Sequence, residues 1–150
     1  MLEKPRQAGS GLYSWWGFDV YRASLWVEPG FDVASLARHR YALELQYLRN
    51  FKARDIAERS IDEMRRVGSF SDAQAQAWVQ AMQTAFMDVA SGDRLTGVHL
   101  PGRGAQFYFN GKPTGEIADA EFARLFFGIW LSDRTSAPKL RLALLGQGGR

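Results

Sequence analysis

Two stretches in the first third of the chain have the apolar pattern of β-strands. FDVYRASLWV, residues 18–27, is rich in aromatic and β-branched residues and ends at the turn signal Glu28-Pro29-Gly30. RYALELQYL, residues 40–48, alternates large apolar positions with small or polar ones, which is typical of a strand with one buried face. Residues 1–14 show no apolar period and contain Pro, Gly and Ser, so we predict a flexible N-terminal arm followed by one domain over residues 15–150.

Four later segments have the apolar period of amphipathic helices. ARDIAERSIDEMRRV, residues 53–67, carries its apolar residues on one side and stops before a glycine. Ser71 and Gln74 have the spacing of a capping box for a second helix, which should run to about Met87. Two more helices, beginning at Asp119 and near Ser136, are predicted to end the chain.

The segments DRLTGVHL, AQFYF and GEI lie between the two helix pairs and predict a strand meander. The stretch GRGAQFYFNGK, residues 102–112, also contains glycines, basic residues and three aromatics, a mixture that could grip phosphate or single-stranded nucleic acid. A hairpin explains it better, because its GxG does not open a helix and Asn110-Gly111 is a strong two-residue turn signal. Blocks of strands and blocks of helices predict an α+β fold with an antiparallel sheet.

The composition excludes several classes of function. With 46% hydrophobic and 23% charged residues, the 150-residue chain can build one globular core. Its net charge of +3 is small and not clustered, so no nucleic-acid partner is predicted. The absence of Cys excludes disulfides, thiolate catalysis and Cys-bound metals, and His39 and His99 lack the spacing of metal ligands. We therefore predict no metal and no cofactor.

The sequence gives few signs of location. No segment approaches the roughly 20 apolar residues of a membrane span, and MLEKPRQAGSG lacks the apolar region of a signal peptide. The sequence as it stands predicts a cytoplasmic protein, or a periplasmic one if a leader has been removed. Nothing in the pattern predicts an oligomeric state.

Polar groups among large apolar ones mark candidate binding residues. Tyr21 and Arg22 lie in the first predicted strand, Tyr47 and Arg49 near the end of the second, and Ser60 interrupts the apolar stripe of the first helix. If that helix covers the sheet with a gap, an apolar pocket with a few polar heads results, in which an Arg could bind a carboxylate. The alternative is that both arginines reach solvent and that Ser60 only permits a tight helix contact.

No residue pattern indicates catalysis. The chain has no G-x-S-x-G elbow for a serine nucleophile. Asp62 and Glu63 are neighbours on a helix and point to different sides, so we interpret them as solvated charges and not as an acid–base pair.

Four segments, in order, resemble the bacterial chalcone isomerase-like domain. The resemblance runs from about Trp15 to Gly146, and the ending GIWL followed by a capped helix is its most specific part. The four segments are GFDVYRASLWVEPG, ALELQYLRNFKARDIAERSIDEM, SGDRLTGVHLPGRGAQFYFNGK and FARLFFGIWLSDRTSAPKLRLALLG. The resemblance implies an open-faced β-sandwich, in which helices cover a large antiparallel sheet and a ligand cleft lies between them. Relatives with this fold are plant enzymes that cyclise chalcones, or non-catalytic proteins that bind fatty acids.

The side chains that the plant enzymes use are not retained here. On a rough alignment the strand threonine falls at Tyr21, the helix tyrosine and asparagine at Ile56 and Glu63, and the late threonine near Ile129. The early arginine falls within residues 14–16, where no Arg stands. Since loss of one oxyanion donor typically costs about 10²–10³ in rate, chalcone cyclisation is not expected.

The resemblance therefore favours a non-catalytic protein of undefined activity that binds a fatty acid or another small apolar carboxylate in the cleft. Two alternatives stay open: an isomerase or lyase that uses a non-standard residue set on a small hydrophobic substrate, and a structural or partner-binding module with a filled cleft. The candidate ligand-binding residues are Tyr21, Arg22, Tyr47, Arg49, Ile56, Ser60 and Met64.

Overall fold

The computed structural model describes residues 2–147, which are built around a six-stranded antiparallel sheet. The order of the strands in the sheet is their order in the sequence, so every connection joins direct neighbours. The strands are β1 (Arg6–Trp15), β2 (Phe18–Val27), β3 (Tyr41–Tyr47), β4 (Arg94–Leu100), β5 (Gly104–Phe109) and β6 (Lys112–Ile117).

Two helix pairs complete the fold and a short 3-10 helix, Val33–Arg38, joins β2 to β3. The first pair lies in the chain between β3 and β4, and the second pair follows β6. The helices are α1 (Ala53–Val67), α2 (Asp72–Ala85), α3 (Ala120–Leu131) and α4 (Pro138–Leu144). The prediction of an α+β fold with an antiparallel sheet is confirmed.

Local sequence signals set the ends of these elements. Ser71 and Gln74 form the capping box of α2, and the Asp119 carboxylate accepts two backbone N–H bonds of 3.0 Å at the start of α3. Asn110 and Gly111 turn the β5–β6 hairpin with φ angles of 50° and 86°. The α2 helix ends at Ala85, two residues before the predicted end.

The prediction of a flexible arm over residues 1–14 is wrong, because residues 6–15 form β1 and pair with β2 along its length. Gly9 and Gly11 were read as signs of flexibility, yet they are contact sites for α4. A Cβ on Gly9 would overlap the Ala143 carbonyl, and one on Gly11 would lie 2.7 Å from Leu140 Cδ1. The glycines allow α4 to lie close against β1, so the domain begins before residue 15.

The helices cover one face of the sheet, where alternate strand residues such as Ala23, Leu25 and Val27 are fully buried. Helix α2 packs on β6, α3 on β5 and α4 on β1, whereas α1 packs mainly on α2 and α3. This arrangement places α1 in an outer position and leaves a space between it and the first three strands. Among the described helices, none is both long and apolar enough to cross a membrane.

Candidate functional site

A cavity of about 280 Å³ lies beneath α1 and beside β1, β2 and β3. The rest of its wall comes from Phe51 in the β3–α1 connection, from the C-terminal end of α3 and from the segment that precedes α4. The cleft is therefore not filled by the large aromatic residues of the core. Its walls are mostly carbon, with a few polar groups at one side.

Three tyrosines, one from each of the first three strands, form a row on the sheet side of the cavity. Tyr13 lies opposite Tyr21 in the β1–β2 register, and Tyr21 lies opposite Tyr47 in the β2–β3 register. The rings of Tyr13 and Tyr21 are stacked with centroids 5.0 Å apart, and Tyr47 meets Tyr21 edge-on at 5.5 Å. Directly opposite residues share a face of the sheet, so the register alone brings the three rings together.

The hydroxyl of Tyr21 accepts a 2.8 Å hydrogen bond from Trp130 Nε1 and so joins β2 to α3. Burial, and after it the neighbouring Tyr47, raise the pKa of Tyr21 well above its ordinary value. Burial also raises the pKa of Tyr47. Both phenols stay neutral at physiological pH and contribute no charge to the cavity.

Helix α1 contributes Ile56 and Ser60 to the cavity wall, together with the charged residues Asp55, Arg59 and Glu63. Ile56 and Ser60 face the cavity one turn apart, and the Ser60 hydroxyl donates to the Ile56 carbonyl at 2.7 Å. That bond satisfies the hydroxyl within the helix. Ile129 and Trp130 of α3 complete this part of the wall.

The charged groups lie at the mouth of the cavity. Arg59 Nη2 is 3.3 Å from the Tyr13 hydroxyl and 3.8 Å from Glu63 Oε2, and the Arg59 side chain is 51% exposed. Burial lowers the pKa of Arg59, but the hydrogen bond to Tyr13 and the charge of Glu63 outweigh it and leave that pKa raised. Glu63 also accepts a hydrogen bond from the Ser136 hydroxyl. A permanent cation therefore stands where an apolar interior meets solvent.

The fold and this cavity can be compared with known proteins. A family model described as chalcone isomerase-like matches residues 7–146. The chain belongs to the chalcone isomerase-like family. The match begins inside β1, in agreement with the place of that strand in the sheet.

Two relatives of this chalcone isomerase-like chain give further comparison. An uncharacterized protein of Haemophilus influenzae is 30% identical over 139 residues, which are 93% of this chain and 67% of that protein. The crystal structure of an Arabidopsis thaliana fatty-acid binding protein matches with a TM-score of 0.74 and 14% identity, covering 96% of this chain and 88% of that one. At that identity the second likeness shows a shared fold.

Four of the seven candidate residues predicted from the sequence line the cavity of this chalcone isomerase-like protein: Tyr21, Tyr47, Ile56 and Ser60. The other three, Arg22, Arg49 and Met64, do not line it. Arg22 follows Tyr21 in β2 and so lies on the opposite, exposed face of the sheet.

Arg49 and Met64 are misplaced for different reasons. Arg49 lies past the end of β3, where its Nε donates to the Asp19 carbonyl at 3.2 Å and its guanidinium stands 4.5 Å over the Phe18 ring. Met64 is fully buried one turn beyond Ser60, in a part of α1 that is already packed in the core. Neither side chain lines the cavity.

Sequence reasoning missed most of the mouth. Tyr13 was hidden by the assignment of a flexible arm, Trp15 was not considered as a site residue, and Arg59 and Glu63 were hidden by the interpretation of helix charges as solvated. One signal could have found the last two, since residues 59 and 63 lie three and seven positions after Ile56, on the same side of the helix.

The plant catalytic positions offer a second signal. On the rough alignment they fall at Tyr21, Ile56, Glu63 and Ile129, and all four residues line the cavity.

Proposed function

We propose that this protein binds a fatty acid or another small apolar carboxylate in the cavity beneath α1, and that it does so without catalysis. The observation that carries the proposal is the combination of an apolar, aromatic-walled cavity with the guanidinium of Arg59 at its mouth. An acyl chain and a carboxylate need these two environments at one site. The fatty-acid binding protein that shares this fold supports the proposal by analogy.

The cavity interior should bind the acyl chain of a fatty acid more favourably than its carboxylate. Each methylene that leaves water contributes about 0.8 kcal/mol, whereas a carboxylate placed among the tyrosine rings without a partner would lose its hydration. A volume of about 280 Å³ lies near the lower end of the range for small-molecule pockets, about 300–1,000 Å³. We therefore expect short and medium acyl chains to fit better than long ones.

Arg59 is the group best placed to bind the carboxylate. Its contacts with Tyr13 and Glu63 both involve Nη2, and at 3.8 Å the contact with Glu63 is longer than a hydrogen bond. Within the described residues this leaves Nε and Nη1 for a ligand, and the Tyr13 hydroxyl can donate to the same head group. The ligand carboxylate and Glu63 would compete for one guanidinium, and Glu63 would keep its hydrogen bond from Ser136.

The direct test is titration of the delipidated protein with a series of fatty acids, followed by calorimetry and native mass spectrometry. Loss of a charged hydrogen bond generally costs about 1.5–3 kcal/mol. Because Arg59 is half exposed, we expect the lower end for Arg59→Gln, about tenfold in affinity. The matched control is Arg66→Gln, an exposed arginine of the same helix that does not line the cavity.

The corresponding fatty alcohols separate the contribution of the apolar cavity from that of the Arg59 charge. They should bind wild type and Arg59→Gln with similar affinity, since they carry no charge. Absence of fatty-acid binding by the wild type, or equal affinities for Arg59→Gln and wild type, would contradict the proposal.

A second candidate function is an isomerase or lyase acting on a small hydrophobic substrate. It is favoured by Glu63, a carboxylate at the cavity that holds the position of the plant helix asparagine and bonds with Ser136. Such a group could act as a general base beside an apolar pocket. Turnover of a chalcone or an enoyl-type substrate that is lost in Glu63→Gln, with ligand binding kept, would support this candidate over simple binding.

A further inference from the structure

The hairpin between β1 and β2 ends in three exposed aromatic side chains, which we call the aromatic tip: Trp15, Trp16 and Phe18. Their exposed fractions are 52%, 79% and 54%. Single exposed large apolar residues are normal on protein surfaces. Here three of them occupy four successive positions, with one glycine among them, and together they form a patch. None of the three side chains of the aromatic tip belongs to the buried core.

The backbone at the aromatic tip makes this choice of residues costly. Trp16 has a φ of 53° and Gly17 a φ of 78°, a left-handed pair that a tight hairpin turn requires. Asn and Gly are the ordinary residues for such a pair, as at Asn110-Gly111 in the β5–β6 hairpin. A bulky residue with positive φ is a rare outlier, and the aromatic contact that Trp16 makes is edge-on with Trp15 at 5.9 Å. Neither the backbone strain nor the exposure of Trp16 stabilises the folded state, which points to a function for this residue.

Two guanidinium groups stand at the base of the aromatic tip. Arg49 lies 4.5 Å over the Phe18 ring, and Arg59 lies 5.6 Å from the Trp15 ring. Two carboxylates lie nearby: Asp19 accepts from the Ser14 hydroxyl, and Glu63 accepts from Ser136 and stands 3.8 Å from Arg59. Aromatic rings with cations just behind them match the boundary between acyl chains and phosphate head groups.

The aromatic tip is continuous with the mouth of the cavity. Trp15 belongs to the tip and also lines the cavity, and Arg59 contacts both Trp15 and the cavity rim. A surface that meets the aromatic tip would therefore also face the cavity mouth.

We propose that the aromatic tip docks on the surface of a phospholipid bilayer, with Trp16 and Phe18 at the boundary between head groups and acyl chains. A protein partner fits less well, since a stable protein interface needs about 800 Å² from each side. Three aromatic side chains of about 150–250 Å² each, exposed by 52%, 79% and 54%, supply at most about 460 Å², well under that requirement. The proposal goes beyond the cavity and does not depend on what the cavity binds.

The test uses the delipidated full chain with vesicles of phosphatidylcholine, alone and mixed with phosphatidylglycerol. Vesicles made with brominated acyl chains quench tryptophans that enter the interface, whereas Trp78 and Trp130 are buried in the protein. We expect quenching, a blue shift and co-sedimentation for the wild type. Stronger binding to the mixed vesicles would support the role of Arg49 and Arg59, and equal binding to both kinds would support docking by the rings themselves.

The decisive variant is Trp16→Asn, which gives the hairpin the same turn sequence as Asn110-Gly111. It relieves the backbone strain, so its melting temperature should equal or exceed that of the wild type, and a loss of vesicle binding cannot be ascribed to unfolding. Loss of one indole that would be buried in the membrane interface should weaken vesicle binding about tenfold or more. Leu142→Asn is the matched control, because it removes an exposed apolar residue of α4 that lies outside the aromatic tip.

Three results would overturn the proposal: no vesicle binding by the wild type, equal binding by wild type and Trp16→Asn, or a dimer in sedimentation velocity that Trp16→Asn dissociates. The last would show that the aromatic tip is a protein interface. A wild type that binds vesicles but no fatty acid would support docking while refuting the proposed function of the cavity.

Discussion

Replacement of Tyr21 by Phe tests the single hydrogen bond that joins the tyrosine row to α3. Tyr21→Phe keeps the ring that stacks on Tyr13 and removes only the oxygen that accepts from Trp130 Nε1. Trp130 is 6% exposed, so its N–H would lose its partner in a nearly buried position. A buried donor left without an acceptor costs about 1–3 kcal/mol.

The cavity should reduce the cost of the unpaired Trp130 N–H to the lower part of this range. Trp130 and Tyr21 both line it, and a water molecule there can partly replace the lost acceptor. We therefore expect Tyr21→Phe to lower the free energy of unfolding by about 1–2 kcal/mol. In a domain of this size each kcal/mol corresponds to about 2–4 °C in melting temperature.

Tyr47→Phe is the matched control. Tyr47 is a neighbour in the same row and is more fully buried, but within residues 2–147 its hydroxyl makes no hydrogen bond. Its loss should change stability by less than about 0.5 kcal/mol. Urea unfolding followed by circular dichroism measures the free energy of unfolding of both variants. The slope of this free energy against urea concentration should not change if the surface exposed on unfolding is the same. If Tyr21→Phe costs no more than Tyr47→Phe, the hydrogen bond to Trp130 does not stabilise the protein.

Two further predictions concern parts of the fold away from the cavity. Gly9→Ala should destabilise the protein by about 1–3 kcal/mol, since the new Cβ overlaps the Ala143 backbone, whereas Ser10→Ala, one residue on, should be near neutral in thermal unfolding. Burial lowers the pKa of His99, against the opposing effect of its hydrogen bond to the His39 carbonyl, so the unfolded chain takes up this proton first as the pH falls. Stability should therefore decrease as the pH drops below about 6.5. His99→Phe should flatten that part of the unfolding profile, and an unchanged profile would refute the assignment.

The strands and helices that sequence pattern predicted well are those whose signals are local. The alternation in β3, the capping box of α2 and the Asn110-Gly111 turn each depend on residues a few positions apart, and each appears in the structure. No face was predicted for β2, although alternation along a strand places Tyr21 and Arg22 on opposite faces. The error at Arg22 came from a search for polar groups that ignored this period.

The error at β1 has a different origin. Its glycines look like breakers when the chain is read alone, because the benefit of a missing side chain appears only when another element approaches. Gly9 and Gly11 are contacted by α4, more than 125 positions later in the sequence. A local pattern carries no record of that contact, and with β1 unassigned neither Tyr13 nor the aromatic tip could be placed beside the later residues.

The cavity exists only because α1 does not pack directly on the strands, and the sequence pattern does not determine how this helix packs. The apolar stripe of α1, which includes Ile56, Ile61 and Met64, could have packed directly on the strands and filled the space. In the structure this helix packs mainly on α2 and α3, whose own large residues, such as Phe126 and Trp78, occupy the centre of the core. The stripe is buried in either arrangement, so hydrophobic burial alone does not distinguish them. What favours the open arrangement is the row of tyrosine rings on β1 to β3, with the Trp130 indole tied to Tyr21, because these bulky groups hold Ile56 and Ser60 away from the strands.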